Sequence, residues 1–273
     1  MIQTISSLSI AVMVLAVVFS ILLPVGLFIY YRKKGADIPP FFIGCAVMLL
    51  FAFIIESLVH QVVLNMSPVG EVIINNVALY ALYGGLMAGL FEETGRFVAF
   101  KTVLKKYRGK DINALMYGAG HGGFEVIVVL GITMIGNIYL SVMANTGALS
   151  LLTANAPAEA AATLQTQIDA LAAIAPATFL LGMIERVSAV IAHLSFSVLV
   201  WFAVKKGKTI LYPVAILLHA LLDFATVMIY RSEMAHAEIV TEIVIFIIVV
   251  IFAVFARIIW NREKDTAAEP VEM

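Results

Sequence analysis

The residues Gly89-Leu90-Phe91-Glu92-Glu93-Thr94-Gly95-Arg96 put two carboxylates and a guanidinium inside a stretch that is otherwise apolar. Lipid solvates charge poorly, so ionisable groups within an apolar span point to function. On a helix, Glu92 and Arg96 are four residues apart and Glu93 and Arg96 three apart, so the arginine can reach either carboxylate. Pairing lowers the cost of burying these charges. It leaves open why they are there.

Composition sets the surroundings. The chain of 273 residues is 62% hydrophobic and 13% charged, with a mean hydropathy of +1.03. A soluble domain is about 45–50% apolar and about 25% charged, so this is a polytopic membrane protein. A net charge of −1 offers nothing to nucleic acid. The single cysteine, Cys45, forms no internal disulfide and reads as a packing residue.

Working outward from the opening stretch, seven apolar runs reach the roughly 20 residues that a spanning helix needs. They cover residues 5–31, 41–64, 72–101, 113–140, 176–204, 210–230 and 239–260. The first is too long for a signal-peptide core and no basic residue precedes it, so it reads as a retained span. Basic residues gather in the connections after spans one, three and five and in the tail; the alternate connections hold Arg231 alone. That bias predicts the N-terminus outside and the C-terminus in the cytoplasm. The expectation is one all-α integral-membrane domain over 1–273, with a core at 72–230, an outer connection at 141–175 and a polar tail at 261–273. The outer connection is alanine-rich and suits a short amphipathic helix; a plain loop and a lid are equally compatible with it.

Three further spans carry polar groups. The fourth contains Gly118-Ala119-Gly120-His121-Gly122-Gly123-Phe124-Glu125, the fifth His193-Leu194-Ser195-Phe196, and the sixth His219-Ala220-Leu221-Leu222-Asp223. His121 and Glu125 share a helix face, as do His219 and Asp223. The glycines allow a neighbouring backbone to approach closely. Counting from the basic ends, Glu92 lies nine residues before Lys101, His121 eleven after Lys110, His193 twelve before Lys205 and His219 eleven after Lys208. At about 1.5 Å per residue, all four sit roughly 14–18 Å from those ends. Helices of alternating direction thus carry titratable groups to one level, which predicts a polar cavity inside the bundle.

The residue types suit hydrolysis. A carboxylate can take a proton from water and return it to a leaving amine; histidines can hold the same water or an oxyanion; Asp223 and Glu125 can orient them. Alternatively His121, His193 and His219 with a glutamate can bind Zn²⁺ and leave a fourth position to water. A lone membrane histidine is usually a packing residue, but three at one depth are not lone. Glu185-Arg186 reads as a structural pair. Glu56, His60 and His236 lie toward the outer ends and are given no direct role.

The series FEETGR, GHGGFE, HLSF and HALLDF on successive spans resembles the glutamic-type intramembrane proteases, which include the CAAX prenyl endopeptidases and the PrsW proteases, and is most similar to the YhfC group. The resemblance runs over 79–223. It implies an endopeptidase of a bacterial or archaeal cell membrane that cleaves a membrane-associated protein or peptide. Glu92 and Glu93 would supply the base, Arg96 would hold the pair, His193 would match the second-motif histidine, and His219 and Asp223 would flank the water and oxyanion. Glu125 matches the PrsW-like glutamate, and His121 is the YhfC-like feature. The chain departs from the prenyl protease pattern in the spacing of Arg96 and in having Asp223 where asparagine is typical. No cofactor is required in the glutamate mechanism; zinc on the three histidines is the metal version. The competing expectations are a proton- or metal-coupled transporter, against which no internal repeat is seen, and a non-catalytic chaperone or sensor.

Overall fold

The computed structural model describes residues 4–149, 154 and 156–265, which are helical with no strand among them. Part of the outer connection, 150–153 and 155, and the end of the tail, 266–273, lie outside the described residues. The helices are α1 Ser7–Lys33, α2 Pro39–Asn65, α3 Pro68–Ile74, α4 Val77–Lys101, α5 Ile112–Asn145, α6 Ala158–Ala173, α7 Pro176–Lys205, α8 Leu211–Tyr230 and α9 Ala237–Glu263. Six of them are long and apolar enough to cross a membrane, and α3 with α4 makes a seventh, broken span, bent by 110°. The expected all-α polytopic bundle is what the chain forms.

The break corrects the third span, expected to run unbroken from residue 72. Asn76 leaves the helix with an extended backbone, and its side chain accepts a hydrogen bond from the Leu79 amide at 3.0 Å. This is an N-cap, and it starts a new helix rather than continuing the old one. The fourth span also runs longer than expected, to Asn145. Turns widen to five-residue hydrogen bonding at Leu49–Glu56 and Gln61–Asn65 in α2 and at Val126–Ile132 in α5.

The chain divides into two compact units, residues 1–23 with 125–186 and residues 24–124 with 187–273. In the first, Met13, Ala16, Leu130, Met134 and Phe179 form a core with Ile168 and Leu171. The last two are three residues apart on α6 and give it one buried face, the amphipathic helix that the alanine-rich connection suggests.

The second unit carries the polar residues of α4, α7, α8 and the first half of α5. Its basic connections meet at one end. Asp37 accepts hydrogen bonds from Lys110 at 2.7 Å and Asn113 at 2.9 Å, and these hold its carboxyl below the usual range. Asp111 accepts from Lys205 at 2.5 Å and from the Trp201 indole at 2.9 Å. Lys205 and Lys206 hold Asp265 at a pKa of about 2. The end of α1, the start of α5 and the ends of α7 and α9 are therefore joined there, as the alternation of basic residues suggests. Next comes an aromatic layer: Phe100 meets Trp201 edge-on at 5.1 Å and Tyr117 at 4.7 Å, all three fully buried.

Glycine sets how closely α4 and α8 pack. A Cβ on Gly85 would lie 2.5 Å from the Ala220 carbonyl oxygen, and one on Gly89 would lie 2.6 Å from that of Ile216. Gly84, one residue away, faces open space. Replacing Gly85 by alanine is expected to destabilise the fold by about 1–3 kcal/mol, through backbone displacement. The matched G84A substitution should be neutral or slightly stabilising. Thermal unfolding of the two variants in the same detergent compares them directly.

Candidate active site in the helical bundle

The expected level of polar groups exists within the second unit. Arg96 is fully buried and pairs with Glu93, also fully buried, one helical turn earlier. The sequence left the arginine's partner open between two carboxylates; it is Glu93. The outer nitrogen Nη2 of Arg96 donates to Nδ1 of His193 at 3.2 Å. Glu93 Oε1 in turn accepts from Nδ1 of His219 at 2.9 Å, which places a proton on that nitrogen. The other nitrogen of His219, Nε2, lies 3.6 Å from Asp223. Phe196 stacks on the His219 ring at 4.9 Å and fixes its plane.

Glu92 points elsewhere. Its Oε2 is 3.0 Å from His121 Nε2 and 3.9 Å from His193 Nδ1. The Tyr117 ring stacks on His121, with its hydroxyl 3.5 Å from Nδ1. The three histidine rings stand in a row, His121 to His193 at 5.1 Å and His193 to His219 at 5.6 Å. A Cβ on Gly122 would come within 3.1 Å of the His193 side chain, and one on Gly118 within 3.2 Å of the His193 carbonyl. The glycines of the fourth span thus let α5 lie against the imidazole it must meet.

Glu92, Glu93, Arg96, His121, His193, His219 and Asp223 converge in this one place. Glu125 does not join them. It belongs to the first unit, where its carboxylate binds Arg186 at 2.5 Å, and Arg186 also pairs with Glu185. The pair read as structural from the sequence is thus a triad that takes up the fourth-span glutamate. Glu56 is buried and bonded to His60 at 3.1 Å, and His60 to the Tyr83 hydroxyl at 2.9 Å. Tyr117 and Phe196 are partners the sequence reading passed over. Tyr117 lies one turn before His121, and Phe196 three residues after His193.

Glu92, His121 and His193 each offer one ligand atom within 4.8 Å of the others. Three donors on one Zn²⁺ at about 2.0–2.1 Å stand roughly 3.3–3.5 Å apart, which the observed 3.0 and 3.9 Å bracket. Two imidazoles and one carboxylate are also the donor set of many hydrolytic zinc centres. The metal-competent set keeps His121, His193 and the expected glutamate, which is Glu92. His219, occupied with Glu93, is not in it.

Residues 19–245 match the family described as YhfC intramembrane metalloprotease. The uncharacterized membrane protein YhfC of Bacillus subtilis (strain 168) is 34% identical over 227 residues, which cover 83% of this chain and 87% of that protein. No solved structure matches the chain. The matched stretch contains all four helices that build the site, and the chain belongs to the YhfC intramembrane metalloprotease family.

Proposed function

We propose that the protein hydrolyses a peptide bond within the membrane, at a centre built from Glu92, His121 and His193. The observation that carries this reading is the convergence, from three helices, of one carboxylate and two imidazoles in the buried interior of the bundle. That donor set fits zinc. Bound there, the ion would lower the pKa of a water molecule and polarise the scissile carbonyl.

The chain's own residues supply the rest. Arg96 is a fixed positive charge beside the centre, suited to stabilise negative charge that develops on the carbonyl oxygen. Glu93 neutralises Arg96 in the resting site and fixes the His219 tautomer, with the proton on Nδ1. Nε2 of His219, with Asp223 3.6 Å away, would take a proton from the attacking water and pass it to the leaving amine. Asp223, more than a third exposed, would link that nitrogen to solvent. The apolar walls exclude bulk water and strengthen each of these interactions.

One observation favours a metal-free version. Arg96 donates to His193 Nδ1, and a nitrogen that accepts this bond has its lone pair engaged. In that version Glu92 is the base that activates water, and the two histidines hold the water in place.

Metal analysis of the purified chain separates the two. The zinc reading expects about one equivalent, lost in H121A, with peptidase activity removed by chelation and restored by Zn²⁺. Full activity in protein free of metal would overturn it. Both versions expect E92Q to lower turnover of a membrane-embedded peptide by about 10²–10⁴-fold; an active E92Q enzyme would overturn the site assignment itself.

The Arg96–Glu93 pair makes a separate prediction. Replacing Arg96 by methionine leaves a buried carboxylate without its counter-charge, which should cost about 3–5 kcal/mol. The double replacement R96M/E93Q should recover much of that loss without recovering activity. Unfolding midpoints for the single and double variants measure the difference.

A further inference from the structure

A concavity in the same unit lies against α7, between α1, α5 and α9. Its volume is about 380 Å³. Leu115, Leu194 and Val198 form its apolar floor, and Lys34, Arg257 and Trp260 stand at the end nearest the basic connections. From Ile191 to Val198 the floor follows α7 for seven residues, about 10 Å along the helix. That is room for part of an acyl chain.

The charge at the mouth selects the occupant. Four cations at this end are matched to carboxylates, Lys110 to Asp37, Lys205 to Asp111 and Asp265, Lys206 to Asp265, and Lys208 to Glu263 at 3.7 Å, while several others are not. Lys34 and Arg257 have no carboxylate partner among the described residues. Lys34 lies over the Tyr30 ring at 5.7 Å, which orients the ammonium without neutralising it. Two unmatched cations and an interfacial tryptophan at the rim of an apolar groove complement an anionic headgroup joined to an apolar tail.

We propose that this groove is a binding site for an anionic phospholipid of the leaflet that meets the basic end of the bundle. The headgroup phosphate lies between Lys34 and Arg257, and one acyl chain lies along α7 over Leu194 and Val198. The site is separate from the proposed peptidase centre, and its occupancy does not depend on that reading.

The two tryptophans make the proposal measurable. Trp260 lines the groove, whereas Trp201 is fully buried in the aromatic layer. The full chain is reconstituted in phosphatidylcholine vesicles that contain brominated phosphatidylglycerol or, at the same mole fraction, brominated phosphatidylcholine. Bromine quenches a tryptophan that it touches. The expected result is stronger quenching by the anionic lipid, with a preference of about fivefold per cation. That preference should weaken with added salt and vanish in K34Q/R257Q, and the quenching should be absent in W260F. Equal quenching by the two lipids would overturn the proposal, as would a preference that survives in the double variant. So would no quenching by either, the result expected if a second copy of the chain or a protein segment fills the groove. Should the double variant not fold, the salt titration and the lipid comparison on the unaltered chain decide the matter alone.

Discussion

The site depends on one buried ion pair. Arg96 and Glu93 have no exposure to solvent, and in that setting a lone charge would cost several kcal/mol. Their spacing on α4 lets each neutralise the other within a single helix, so the charges enter the membrane as a matched pair. Each partner then uses its remaining capacity on another helix, Arg96 on His193 of α7 and Glu93 on His219 of α8. The pair thereby sets the orientation of two imidazoles. It also divides the labour between adjacent glutamates: Glu93 is committed to charge balance, and Glu92 is left to face His121 and His193.

That arrangement needs close helices, and lipid supplies little hydrophobic drive to bring them together. The chain meets the need with glycine. On α4, Gly85 and Gly89 face the α8 backbone, and on α5, Gly118 and Gly122 face α7 at His193. A methyl group at these positions would push away the helices that carry His219 and His193. Gly85 and Gly89 before the paired glutamates, and Gly118 and Gly122 around His121, therefore belong to the same design as the charges they flank. They set the reach, and the side chains set the chemistry.

Much of this was legible in the sequence because two periodicities coincide. Apolar runs mark the spans and basic residues mark their ends, so the depth of Glu92, His121, His193 and His219 follows from counting along a helix. What counting cannot supply is rotation about each helix axis. Arg96 had two carboxylates in reach, and only packing selects Glu93. Glu125 shares a helical face with His121 by its spacing, yet it binds Arg186; the widened turns begin at Val126, directly after it. Such turns leave no compositional mark. The break before α4 was masked in the same way, since apolar residues flank the two asparagines on both sides. His219 was grouped with the metal-competent histidines for its depth, whereas its hydrogen bond to Glu93 sets it apart.

The choice between zinc and a metal-free glutamate comes down to one nitrogen. In the conformation observed, His121 Nε2 and the Glu92 carboxyl share one hydrogen bond, while His193 Nδ1 accepts from Arg96. Metal ligation needs the lone pair of each imidazole and a deprotonated carboxylate. The proton shared by His121 and Glu92 would leave, and Arg96 would release His193. The ligand atoms already lie within 4.8 Å of one another. Glu93 would keep Arg96 neutralised throughout, so releasing His193 would not strand the guanidinium. The buried pair that makes the charges tolerable in the membrane thus also makes the centre convertible. A single set of side chains can hold either a protonated carboxylate–imidazole cluster or a divalent cation, and the guanidinium of Arg96 is the group that must turn aside between the two.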